Sequence, residues 1–161
     1  MNPIDQEKMD ALSRQAAASA RLRTHLNFHA SPEEAVQRLM IAMEPGTFVP
    51  VHCHEQAWKW ELLMILRGEA ECVIFDDAGQ VLSRGTLTPG GALTALELPP
   101  GVWHSVISKQ PGTVIFEVKP GPFDPAQAAV RAPWCPGEED EEREVFQQWL
   151  QLAPVGSRWE A

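Results

Sequence analysis

Apolar positions recur along this chain with two different periods. Between residues 37 and 119 the period is two, carried in short runs. In Gln37 to Glu44, Leu39, Ile41 and Met43 fall on one face, the alternation of a half-buried strand. Similar runs follow at Trp60 to Arg67, Glu69 to Phe75, Gln80 to Leu87, Ala92 to Leu98, Val102 to Ser108 and Thr113 to Lys119. The breaks between them carry turn chemistry, as in Asp76-Asp77-Ala78-Gly79, Pro89-Gly90-Gly91 and Gln110-Pro111-Gly112. Phe48 to His54 predicts a further strand, and Pro50, which has no N–H for a ladder, sets it at a bulge or a free edge. Short strands at even spacing with no helices between them predict a sandwich or barrel, not a parallel sheet.

The period lengthens at both ends of the chain. Pro3 to Arg23 predicts a helix, with Met9, Leu12, Ala16 and Ala20 in a thin stripe that suits the surface of something larger. Asn27 to Pro32 reads as loop, with room for a short extended piece. After Pro120-Gly121-Pro122 comes a proline-rich connection to Pro136, then a closing helix from Glu138 to Leu152. Val145, Phe146, Trp149 and Leu150 form its apolar face, and the acidic run Glu138 to Glu142 is expected to sit in its first turn, at the positive end of its dipole. The expectation is one mainly β domain over residues 1–161, with a helix at 1–24, a barrel core at 37–119 and a helix at 138–152.

Within this frame one group of residues carries chemistry. His52 and His54 are spaced i, i+2 and share a strand face; Glu61 lies at the start of the next strand and His104 on a later one. Three imidazoles and a carboxylate converging in an apolar lining would be costly to bury without a common partner. Together they make a mixed N/O set suited to one divalent first-row metal, with Fe, Mn, Ni and Zn all compatible. Cys53 points to the opposite face by strand parity and is expected to be a packed thiol.

The spacing of these residues resembles the cupin superfamily. Gly46-x5-His52-x-His54-x6-Glu61-x6-Gly68 is similar to the first cupin motif and Pro99-x-Gly101-x-x-His104 to the second. The gap between His54 and Glu61 is longer than the usual three or four residues, Leu93 stands where a glycine usually opens the second motif, and Ser108 where an asparagine usually ends it. With Lys59-Trp60-Glu61, Ile74-Phe75-Asp76 and Phe116 to Pro122, residues 21–152 resemble the WbuC-type cupin-fold metalloproteins, named after a member found in polysaccharide gene clusters. The resemblance implies a double-stranded β-helix, or jelly-roll barrel, with flanking helices and a metal held by His52, His54, Glu61 and His104. Cupins commonly pair through their sheets, and the apolar outer positions Trp60, Leu62, Met64 and Leu66 need cover, so a homodimer is expected.

Composition narrows the partners. A net charge of −9 argues against nucleic acid and anionic membrane surfaces. The longest unbroken apolar run, Leu62 to Leu66, is far short of the ~20 residues that span a bilayer. The first residues lack a basic stretch leading into an apolar one, and Cys53, Cys72 and Cys135 are too scattered for a disulfide framework, so a cytoplasmic protein is expected. Cys135, in a loop, could be exposed.

A small molecule is the remaining partner. Glu117, Lys59 and Trp58 are candidates to support a ligand from behind or to face a substrate; Glu117 could instead simply pair with Lys119 or an arginine at the rim, and surface solvation is the default for Lys59 and Arg67. His25 and His29 are expected at the surface, outside the ligand set. Four protein ligands on an octahedral ion leave two positions open, which suits an oxygenase, a Lewis-acid isomerase or hydrolase, or a binding or sensing protein without turnover. The first choice is a metal-dependent enzyme on a small polar molecule; the resemblance adds a sugar or sugar-derived acid as its class. No catalytic residue beyond the ligands is indicated.

Overall fold

The computed structural model describes residues 1–160. The elements run α1 (Gln6–Ala18), β1 (Arg23–Asn27), β2 (Val36–Met43), β3 (His52–Cys53), β4 (Glu61–Arg67), β5 (Ala70–Phe75), β6 (Val81–Leu87), β7 (Ala95–Leu98), β8 (Trp103–Ser108), β9 (Thr113–Pro120), a 3-10 turn (Pro125–Gln127), β10 (Val130–Arg131) and α2 (Arg143–Leu152). The strands form two five-stranded sheets, ordered β1-β2-β9-β4-β7 and β10-β3-β8-β5-β6, with antiparallel neighbours throughout.

Apolar alternation places the core in three layers. Between the sheets lie Met43, Leu63, Ile65, Cys72, Leu87, Val106 and Ile115. On the outside of the first sheet, Met9, Leu12 and Ala16 of α1 cover Met40, Ala42 and Val114, with Leu66 packed alongside. On the outside of the second, Phe146 and Leu150 of α2 meet Val73, Phe75, Val81 and Ile107. Of the two predicted helix stripes, Ala20 and Val145 are left exposed.

Three elements differ from the sequence expectation. The first helix ends at Ala18: the Ser19 N–H turns back to the Ala16 carbonyl, Leu22 takes a left-handed φ of 55°, and Arg23–Asn27 becomes an edge strand on β2. Its side chains are half-buried or exposed throughout, so β1 carries no apolar alternation and borrows its order from the ladder of β2. The strand predicted over Phe48 to His54 shrinks to His52–Cys53. Pro50 has no donor, and the Val51 N–H reaches the Cys135 Sγ (3.2 Å) in place of a strand partner. Cys135 is therefore buried, not exposed. The acidic run lies ahead of α2 instead of in its first turn, and Glu138 binds Arg21 and Arg23 at 2.5 Å each, tying the approach to α2 onto the approach to β1.

Two further contacts hold the ends of the barrel. Arg84 on β6 grips the Glu71 carboxylate with Nε (2.8 Å) and Nη2 (2.6 Å), while its Nη1 donates to the Leu150 and Ala153 carbonyls at the end of α2. Arg67 does not stay in solvent: it donates to the Gly112 carbonyl and to Asp10 and Ser13 of α1. Gly68, between β4 and β5, has a φ of +76°, and a Cβ there would lie 2.8 Å from the Thr113 Cα, so both backbone freedom and the absence of a side chain are required.

Candidate metal centre

The two sheets bring the four motif residues to one end of the interior. His52 on β3 is directly opposite His104 on β8, and their ring centroids are 4.3 Å apart. His54 follows on the same face, and the Gly101 N–H donates to the His54 carbonyl (2.8 Å), which binds the second motif to the first. Glu61 opens β4 on the facing sheet. One ligand atom each from His52, His54 and Glu61 lies within 4.8 Å of the others. His104 Nε2 is 3.0 Å from Glu61 Oε2, and His54 Nε2 is 3.6 Å from Glu61 Oε1. His54, Glu61 and His104 are buried and His52 is half-buried.

Each imidazole is aimed by a backbone carbonyl. Nδ1 of His52 meets Pro50 O at 2.9 Å, Nδ1 of His54 meets Ala128 O at 2.6 Å, and Nδ1 of His104 meets Val102 O at 3.0 Å. A carbonyl only accepts, so each Nδ1 carries a hydrogen and Nε2 is the nitrogen of each ring left to meet a metal. Burial, followed by the neighbouring His104, lowers the pKa of His52 to about 3, so this ring is neutral. Burial works against the Glu61 anion, yet the flanking imidazoles and Lys119 hold its carboxyl well below the usual range.

The donors fit a divalent metal on two observations. His54 Nε2 is buried with no hydrogen-bond partner among the described residues. His104 has acceptors at both nitrogens, Val102 O and Glu61 Oε2, although a neutral imidazole has one N–H. His52, His54, Glu61 and His104 would hold such a cation, which would supply the charge these lone pairs face.

The centre opens into a cavity of about 320 Å³ between the sheets. Arg21, His25 and Ala129 are its exposed lining residues and mark the mouth, between the β1 edge of one sheet and the β10 edge of the other. His25 is therefore a rim residue, where burial and the Lys119 charge lower its pKa. His29 lies away from the cavity, its Nδ1 3.0 Å from the backbone of Arg38. Glu117 faces the cavity from β9, opposite Leu39 on one side and Leu63 on the other, and is paired with Lys119. Burial, then the Glu61 charge, raises Glu117 to about 7.

Lys59 and Trp58 lie outside the cavity lining. Lys59 is buried, and its Nζ donates to the carbonyls of Gln127 and Ala128 at 3.1 Å each, behind His54 and outside the cavity lining. Trp58 is 51% exposed and outside the lining. Cys53 is buried and is not among the three grouped ligand atoms, and Cys72 lies in the interior, where burial lifts its thiol to about 12. Two participants escaped the sequence reading. Lys119 was visible only as a salt-bridge partner for Glu117, and no pattern marks Ala128, whose contribution is a backbone carbonyl.

Comparison with known proteins agrees with this architecture. No curated protein matches the chain. Among solved structures it is similar to a cupin 2 domain-containing protein from Halorhodospira halophila, at 19% identity and TM-score 0.54 over 86% of this chain and 85% of that one. It is similar to KdgF from a Halomonas species, at 14% identity and TM-score 0.51 over 65% and 82% of the two chains. A third likeness is to CapF of Staphylococcus aureus, a capsular polysaccharide assembling protein, at 17% identity and TM-score 0.56 over 66% of this chain. The aligned region spans only 29% of CapF. At these identities the likeness is one of fold, and the fold is a cupin. A family model described as a domain of unknown function, DUF6016, matches residues 4–87, just over half of the sequence, and the chain belongs to that family.

Proposed function

We propose that the protein holds one divalent transition metal through His52, His54, Glu61 and His104 and uses it to act on a small molecule that enters past Arg21 and His25. The observation that carries this reading is His104, whose two nitrogens both face acceptors, beside the unpartnered Nε2 of His54. Bound there, Fe, Mn, Ni or Zn would supply Lewis acidity and, for iron, redox chemistry. The chain supplies the rest. The three carbonyls fix the rings, Glu61 contributes the anion, Lys119 balances Glu117 and Glu61, and Glu117 can hold or release a proton beside the cavity.

An oxygenase or an isomerase fits this arrangement. The WbuC-type resemblance adds a sugar or sugar acid of polysaccharide metabolism as the substrate class, and that part rests on the resemblance alone. The test is anaerobic reconstitution with each metal, followed by oxygen uptake and product analysis over a panel of small acids. One ion per chain and turnover of at least one acid is the expected result. Stoichiometric metal with binding but no conversion across the panel would favour a metal-anchored binding protein instead.

The same reading has the 161 residues acting as one domain, in the cytoplasm and as a homodimer. Three unpaired cysteines suit a reducing compartment. Since α1 already covers Leu66, the apolar outer surface left for a second copy narrows to the β4 face around Met64, which is 38% exposed. Light scattering at micromolar concentration should give twice the chain mass; a monomer mass would remove the dimer from the account.

A further inference from the structure

We infer that the molecule taken by this cavity is a small carboxylate with an apolar body, its head at Lys119 and the histidine–glutamate centre and its body against Leu39, Ile41, Leu63, Val106 and Ile115. The inference rests on the proposed metal-centred reading and narrows its substrate class.

Three features of the cavity carry it. The first is where its polar groups lie. They cluster at the centre and at the rim, while the wall between is aliphatic side chains from β2, β4, β8 and β9 with Glu117 set among them. The second is that the polar side chains behind this wall are already engaged inside the protein. Ser105 Oγ donates to Val49 O (2.7 Å), Ser108 Oγ to Met43 O (2.9 Å), and Gln37 Nε2 to Pro32 O and Glu34 O. Glu117 is taken by Lys119. A polyhydroxylated body would lose its water here and find few replacements, a penalty that a hydrocarbon body avoids.

The third feature is charge. At the mouth and in the interior Arg21, Arg23 and Lys119 stand against the carboxylates of Glu61, Glu117 and Glu138, so the side chains roughly balance. Arg21 and Arg23 share the single carboxylate of Glu138. A divalent cation at the proposed centre would leave this end of the cavity net positive, and that draws small anions in from solvent. Lys119 beside that centre is already paired with Glu117 and 3.7 Å from Glu61, so one further negative charge balances the metal-loaded site; that suits a carboxylate, whereas a phosphate calls for several donors. The volume of about 320 Å³ is at the small end of the roughly 300–1,000 Å³ usual for ligand sites.

The experiment is calorimetric titration of the metal-loaded protein with hexanoate, with gluconate (the same chain length and charge with a hydroxylated body) and with 1-hexanol (the body without the charge). Each methylene removed from water is worth a factor of about four in affinity, so hexanoate should bind at least ~tenfold tighter than gluconate. It should exceed hexanol by a similar factor. Ile41→Thr, at a half-buried lining position, should weaken hexanoate several-fold and leave gluconate unchanged. Gluconate binding as tightly as hexanoate, with metal content intact, would overturn this inference and leave the metal centre standing. A protein that takes up no metal but still prefers hexanoate would reverse that outcome: the proposed centre fails and the apolar cavity stands. Equal binding of hexanol and hexanoate would remove the carboxylate from the proposal.

Discussion

His54 Nδ1 lies 2.6 Å from the carbonyl of Ala128, seventy-four residues further along the chain. The same carbonyl accepts from Lys59 Nζ at 3.1 Å. A candidate ligand is thus aimed by the segment between β9 and β10, and that segment is in turn held by a buried lysine. The short strand β10 adds a second tie, since Val130 and Arg131 pair with Cys53 and His52.

Lys59→Met tests this support. The variant keeps the aliphatic stem and removes the two donated hydrogen bonds, so the Ala128 carbonyl is held less firmly. Partners of this kind typically contribute 10–100-fold to metal affinity. Chelator competition should show a loss of roughly that size with the stoichiometry unchanged. Unaltered affinity would mean the peptide at 128 is fixed without the lysine.

The closing helix makes a contrast between neighbours. Phe146 is fully buried, edge-to-face with Phe48 and Trp159, whereas Val145 is 60% exposed. Phe146→Ala should cost about 3–5 kcal/mol, and Val145→Ala should stay within about 0.5 kcal/mol. Denaturant midpoints measure both. A small effect at Phe146 would make α2 a loosely attached tail.

A pH dependence follows from Glu71. Its two hydrogen bonds from Arg84 lower the carboxyl pKa against the opposing effect of burial. A depressed folded-state pKa means that the contribution is fully present above the unfolded value, near 4.5, and is lost as pH falls through the folded one. Glu71→Gln should therefore be less stable than the parent by about 1–3 kcal/mol at pH 7, and the gap should narrow well below pH 4.5. The comparison is made in chelator, so that metal loss does not contribute. A gap that is constant with pH would place the stabilisation elsewhere.

Much of this arrangement is legible in the sequence. Period-two runs and their turns located the strands from β4 to β9, because a strand buried on one face advertises itself by alternation. The four motif residues were visible for the same reason, as polar side chains on apolar faces. What stayed hidden was order borrowed from a neighbour. β1 has no pattern of its own, and β10 is two exposed residues in a proline-rich connection. Lys59 looked like a solvated surface lysine because its acceptors are carbonyls, and carbonyls leave no mark on residue identity. Lys119 lay at the end of β9, where its alternation gave parity with Glu117 but could not say that both would face a cavity.

The most direct test is elemental analysis of the parent and of His104→Ala, each loaded with one divalent metal and dialysed against metal-free buffer. The account predicts about one ion per chain in the parent, near-complete loss in the variant, and a parent melting temperature that falls when a chelator removes the ion. Full occupancy in His104→Ala, or a parent that retains no metal, would contradict it.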